Sequence, residues 1–240
     1  MNILRLRREF DENGFVKVLI PDILEHVGRV RTHFCALYQS RFDKDHNRNR
    51  ELIKSFARDP LVGQIFCSPK LLKMIHSVCS LKVPVFCGPT VSHYTSNDLT
   101  GKSFGIPLHQ DYPSMASSRN SIICWISLNE SGENYHGIEI LKESHKQGVL
   151  DGVQTESGYH LKQNSLDMSK IVNPNVMAGE LLLISSHTPH RTYVNPNFDG
   201  WKLSISQRFD DLEDPLWLQN GFRTAYATHV NRDLFYEIKQ

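Results

Sequence analysis

The chain has no apolar run approaching the roughly eighteen residues that a membrane-crossing helix needs, so no membrane span is expected. Its N-terminus, MNILRLRREFDENG, becomes charged too early to hold the apolar segment of a secretory signal. No C-x-x-C pair occurs, and the cysteines are odd in number: Cys35, Cys67, Cys79, Cys87 and Cys124. That pattern argues against a disulfide framework and fits reduced thiols, mostly buried, in a cytoplasmic protein. Charge of one sign is also missing, because 27 basic and 26 acidic residues are interspersed to a net +1. Without a basic block to neutralise phosphates, nucleic acid is not an expected partner. There is no internal repeat and no low-complexity segment.

At 240 residues and 40% apolar content, the chain can bury a sizeable core. Phe15 to Leu19 reads as a strand between Gly14 and Pro21. From about Asp22, the apolar residues Ile23, Leu24, Val27, Val30, Phe34 and Leu37 recur at helical spacing. RFDKDHNRNREL reads as a charged, exposed link. Two further short helices follow, with Pro69 in the first turn of the second. After Leu81 the pattern changes to short β-rich runs, VPVFCGPTVSHYT, SIICWISL, GIEIL, ELLLISS and KLSISQRFD, set between Gly, Pro, Asn and Asp clusters. Helices first and many short strands afterwards suit an α+β domain, or a sandwich or double-stranded barrel with a helical flank. The expected organisation is one domain over 1–240. It has a helical flank at about 20–80, a β core at about 82–210 and a C-terminal extension at 211–240.

In GIPLHQDYPSM, His109 and Asp111 stand two residues apart. On an extended segment such residues project to one face, and imidazole with carboxylate suits iron, manganese or zinc. By itself the triplet is equally compatible with a surface turn. GELLLISSHTPHRTYVN supplies a third candidate ligand, His187 or His190, which periodicity does not separate. No cysteine-based zinc set and no helical H-E-x-x-H accompanies them. In KLSISQRFD, Leu203, Ile205, Gln207 and Phe209 alternate with Lys202, Ser204, Ser206 and Arg208. The second face is either solvated or the polar interior of a barrel where a cation receives an anion. Lys202 and Arg208 are six residues apart, about 20 Å along an extended strand, so only one of them serves a given small anion.

GIPLHQD, GIEILKESHKQGVL, ISSHTPHRTYVN and KLSISQRF, in that order, resemble the phytanoyl-CoA dioxygenase family of iron(II)/2-oxoglutarate oxygenases. The opening FDENGFVKV is similar to that family's entry into its first strand, and the resemblance spans Phe10 to Phe209. It implies a mainly β fold with flanking helices: a double-stranded β-helix, or cupin-like jelly roll. It implies His109, Asp111 and His190 as the metal triad, with His190 chosen by the asparagine that follows at Asn195. His187 then has a supporting or structural part. Thr192 and Trp125 would line the 2-oxoglutarate site. Where the family usually has an arginine for the far carboxylate, this chain has Lys202, and Arg208 is the fallback. The two cations differ, since a planar fork gives paired hydrogen bonds and an ammonium a point charge. The usual turn before the conserved-type histidine is also altered, to KESH at Lys142 to His145.

The resemblance implies iron(II) as cofactor, with 2-oxoglutarate and O2 as co-substrates. The expected reaction is oxidative decarboxylation of 2-oxoglutarate to succinate, coupled to hydroxylation of a small molecule. A carboxylate at position 111, rather than the small residue of related halogenases, favours hydroxylation. The absence of a basic surface speaks against a phosphate-rich CoA adduct. A saccharide, amino-acid derivative or other specialised metabolite fits better. Tyr112, Met115 and Arg119, just after the first motif, are weak substrate-contact candidates. His136 and His145 read as surface histidines without a role. A non-catalytic jelly-roll binding protein and a metal-dependent hydrolase or isomerase are the competing classes.

Overall fold

The computed structural model describes residues 2–42, 45–99, 105–115, 118–155 and 158–219. Ile3, Leu6 and Phe10 recur at helical spacing and turn one side of α1 (Ile3–Asn13) toward the core. Asn2 caps its start on the Arg5 N–H, and Gly14 ends it in the left-handed region at φ 80°. The chain then enters β1 (Phe15–Val18). Ile23, Val27, Val30 and Phe34 form the buried stripe of α2 (Pro21–Leu37). Three more helices complete the flank: α3 (His46–Ala57), α4 (Pro60–Phe66) and α5 (Pro69–Cys79).

Two expectations are corrected here. The flank begins at Ile3, not near residue 20, because three apolar side chains among many charges are enough to seat α1. The charged link is largely α3, which buries Asn49, Ile53 and Phe56 at spacings of four and three. Arg50, Glu51, Lys54 and Ser55 face water, and its many polar residues hid the helix.

The strands follow: β2 (Pro84–Ser96), a short α6 (Tyr112–Met115), β3 (Ile122–Ser127), β4 (Gly137–Leu141), β5 (Gly152–Thr155) and β6 (Gly158–Leu161). Then come β7 (Ile171–Val172), β8 (Leu181–Ser185), β9 (His190–Tyr193), β10 (Trp201–Asp211) and a short α7 (Pro215–Gln219). The larger sheet runs β1-β8-β3-β10-β2, antiparallel throughout. The smaller runs β7-β4-β9. Single bridges from His109 to His190 and to His160 extend it through the first motif toward the β5–β6 hairpin. Two sheets facing each other with helices outside make the expected double-stranded β-helix.

Strand alternation divides the interior into two compartments. Ile122, Cys124 and Ile126 of β3, Leu181 and Leu183 of β8, and Leu203, Ile205 and Phe209 of β10 meet the helices in one continuous core. Ile123, Trp125, Leu182 and Ile184 face the other way, onto Ile138 and Ile140 of the smaller sheet. The opposite residues of β10, Lys202, Ser204, Ser206 and Arg208, line the cavity between the sheets. At the end of β10, the Asp211 carboxylate accepts the Lys82 and Val83 N–H groups at 2.9 and 3.0 Å. It thereby ties the strand end to the start of β2. Residues 220–240 of the expected C-terminal extension lie outside the described residues.

Phe34 joins the flank to the sheet, with its ring centroid 5.0 Å from Phe56 and 5.6 Å from Trp201. Truncation there leaves a void that neither a helix nor a strand can close. Phe34→Ala should cost about 3–5 kcal/mol, read as a lower urea midpoint with an unchanged slope.

Candidate metal centre

His109 and His190 are direct cross-strand partners, exchanging backbone hydrogen bonds at 3.1 and 3.0 Å. Their rings consequently share a face, with centroids 4.3 Å apart. Asp111 projects to the same place, and the ligand atoms of His109, Asp111 and His190 lie within 4.8 Å of one another. Among the described residues this is the one such group.

The hydrogen bonds fix the chemistry of each donor. His109 Nδ1–H donates to Pro107 O at 2.8 Å, and His190 Nδ1–H donates to Thr188 O at 3.0 Å. A carbonyl oxygen only accepts, so in each ring Nδ1 carries a proton and Nε2 is the nitrogen available to a metal. Burial above all pulls His190 down to about 4 and keeps it neutral. Burial opposes the charge of Asp111. The Arg208 guanidinium overcomes it and holds the carboxyl well below the usual range. Two imidazoles and a buried carboxylate form a borderline-hard set that fits iron(II).

Gln110, between two of these residues, is fully buried. Its amide donates to Gly148 O at 2.8 Å and to His187 O, and it accepts from the Leu150 N–H at 2.9 Å. It pins the first motif to the loop before β9. His187 is not part of the triad. Its ring stacks on Tyr112 at 4.0 Å, and burial pulls it down to about 4.

At the other end of the cavity, Lys202 Nζ donates to Gly137 O at 2.9 Å and lies 5.6 Å from the Trp125 ring centroid. Burial brings its ammonium down to about 7. Thr192 lines the same space, and its Oγ1 accepts the Ile106 N–H at 3.0 Å, which leaves the O–H to donate inward. Gly105, at φ +118°, passes so close to Thr192 that a Cβ would come within 2.7 Å of it. Arg208 does not join Lys202. Its Nε–H donates to Asp111 Oδ2 at 2.9 Å.

Two of the weak substrate candidates, Tyr112 and Arg119, do not line the cavity. Tyr112 is only 1% exposed and packed on His187, because α6 begins there and turns its ring inward. Arg119 is exposed and engaged through its backbone N–H with Asp214. The side chain of Met115 lies outside the described residues. His136, read as a surface residue, is fully buried, since it accepts the Asn195 N–H and donates to Gly200 O. His93 was missed. It lines the cavity from β2, opposite Ser204. Burial, with the charges of Arg208 and Lys202 nearby, pulls it down to about 3. Its signal was the alternation Val91, His93, Thr95, which places it inward with the polar face of β10.

A sequence model of phytanoyl-CoA dioxygenase (PhyH) matches residues 10–199. The chain belongs to the phytanoyl-CoA dioxygenase family. Among its relatives is the 1-deoxypentalenic acid 11-beta-hydroxylase of Streptomyces arenae, 28% identical in an alignment of 152 positions that covers 58% of this chain and 53% of that protein. The enzyme of the same name from Streptomyces exfoliatus is 26% identical over the same shares. The chain thus spans about half the length of the curated relatives it matches. Among solved structures, the non-heme monooxygenase ThoJ superposes with a TM-score of 0.63 at 15% identity, over 86% of this chain and 77% of that one. EvdO2 of Micromonospora carbonacea var. aurantiaca gives 0.61 at 18% identity, over 88% and 93%. At these identities the superpositions establish the fold of this family member. No helix among the described residues is long and apolar enough to cross a membrane.

A buried lysine is costly in the absence of an anion. Its folded value of about 7 lies below the ordinary 10.5, so between these values the unfolded state binds the extra proton and stability rises with pH. Lys202→Met should therefore stabilise the ligand-free protein by about 1–4 kcal/mol near pH 6. The gain should shrink toward zero as urea unfolding is repeated up to pH 10. A pH-independent difference would show that Lys202 does not titrate as its burial requires.

Proposed function

We propose that this protein is an iron(II)/2-oxoglutarate-dependent dioxygenase that hydroxylates a small organic molecule. The observation that carries the reading is the division of the inter-sheet cavity. A histidine–aspartate–histidine cluster stands at one end, and a buried lysine without a carboxylate partner among the described residues stands further along the same cavity. The triad consists of His109, Asp111 and His190, and it would hold the metal through two Nε2 atoms and one carboxylate oxygen. When bound, the iron supplies activation of O2 at the expense of a 2-oxo acid.

The chain's own residues do the rest. Lys202 binds the far carboxylate of 2-oxoglutarate, which would otherwise lose its hydration without compensation. Thr192 donates a hydroxyl hydrogen bond to the same co-substrate. Trp125 walls the cavity and shields the ammonium from water, and Ile123, Ile138 and Ile184 complete an apolar lining. His93 is a neutral donor between Lys202 and the triad. Exclusion of water by this lining strengthens each charge interaction inside it.

The substrate is read as a specialised metabolite. This rests on relatives named for 1-deoxypentalenic acid and on a neighbour of like fold, the epimerase SnoN, captured with nogalamycin RO. Nothing in the site calls for a CoA adduct.

The test is succinate formation from 2-oxoglutarate by the iron(II)-loaded protein, with and without O2. Oxygen-dependent succinate is expected even without substrate, slowly, and it should fall to background in Asp111→Ala. A non-catalytic binding protein would give none, and a hydrolase or isomerase would turn over its substrate under nitrogen.

A further inference from the structure

The two oxygens of Asp111 face different partners. Oδ1 lies 3.3 Å from His109 Nε2, in the space between the triad's donors. Oδ2 accepts from Arg208 Nε at 2.9 Å. The guanidinium is itself held, since Nη1 donates to Ser206 Oγ at 2.9 Å from the same strand. Both side chains of the pair are nearly sealed, at 10% and 7% exposure. We propose that Arg208 is a positioning residue that commits one carboxylate oxygen of Asp111 to itself, and so limits Asp111 to a single metal-facing oxygen. The inference rests on reading the triad as an iron/2-oxoglutarate site.

The reason is a count of positions. A carboxylate is free to offer a metal one oxygen or two. With one, the three protein ligands occupy three places of an octahedron and leave three, two for a 2-oxo acid and one for O2. With two, a place is lost. A charge-assisted bond to Oδ2 opposes rotation of the carboxylate into the second mode. The local backbone fits this use. The pairing of β10 with β2 shifts register between Ser206 and Arg208, where Gln207 bonds to Thr90 and to Gly88 O. Pairing with β3 continues unbroken through the same residues. Such an irregularity re-aims a side chain while one neighbour holds the strand in place. Arg208 is also six residues from Lys202 on this strand, about 20 Å in extended chain. With Arg208 committed to Asp111, the far carboxylate of the co-substrate is left to Lys202.

The test uses Co(II), which reports coordination in its visible bands and does not turn over, with anaerobic titration by 2-oxoglutarate. Arg208→Gln should take up Co(II) with a spectrum altered from wild type before 2-oxoglutarate is added. Its half-saturation for 2-oxoglutarate should then rise at least fivefold. Lys202→Met should raise half-saturation too, but with the wild-type Co(II) spectrum. An Arg208→Gln spectrum superimposable on wild type, or a change in half-saturation below fivefold, overturns the proposal. It would leave Arg208 as a mere counter-charge. If Arg208→Gln does not fold, Arg208→Lys, which keeps the charge but not the planar fork, is held to the same two criteria. A wild-type protein that takes up no Co(II) overturns the iron reading itself, and this inference with it.

Discussion

Asp111 carries a negative charge at 5% exposure, flanked by two imidazoles and wedged between two sheets. A carboxylate in such a place stays ionised only if a cation is brought to it, and the cation is Arg208. Everything near the site follows from placing these two together. Arg208 comes from β10, whose outward residues Leu203, Ile205 and Phe209 are locked into the helical core. Asp111 comes from a segment bridged to β9 through His109 and His190. The ion pair therefore clasps the larger sheet to the smaller one at the cavity. Removing either partner alone would strand a buried charge.

The same strand carries the opposite arrangement at its other end. Lys202 is as deeply buried as Arg208 but has a carbonyl and an indole face where a carboxylate would be expected. One cation is paired with a carboxylate inside the protein, and the other, on the proposed reading, is kept for a ligand. On that reading the asymmetry, along a single polar face, gives the cavity a direction: metal end, then co-substrate end. Burial of the lysine at 202 carries a cost, and on the proposed reading an anionic ligand offsets it.

Much of the architecture was legible because strand alternation is a strong signal. KLSISQRFD divides cleanly into two faces, and both do what their polarity requires. His109, Asp111 and His190 were found through their spacing together with the family pattern. Periodicity alone left His187 as an equal candidate, and what separates them is tertiary: His190 pairs with His109 across a strand, while His187 stacks on Tyr112. Other features were hidden for physical reasons. α3 is a helix with few apolar residues, so its composition resembled a linker. His93 belongs to no motif, and its inward direction depends on the register of β2 against β10. Arg208 and Lys202 were rivals in sequence because a charge on a buried face names no partner. The pairing of Arg208 with Asp111 is a contact across 97 positions of chain, which no local pattern records.

The central claim is that the cavity between the sheets holds a metal at its triad end and a dicarboxylic co-substrate directed toward Lys202. The most direct measurement is an anomalous difference map from crystals grown anaerobically with iron(II) and 2-oxoglutarate. The account predicts one strong peak bounded by His109 Nε2, His190 Nε2 and Asp111 Oδ1, with the far carboxylate of 2-oxoglutarate on Lys202 Nζ. A peak elsewhere, or a co-substrate whose far carboxylate turns away from Lys202, would contradict it.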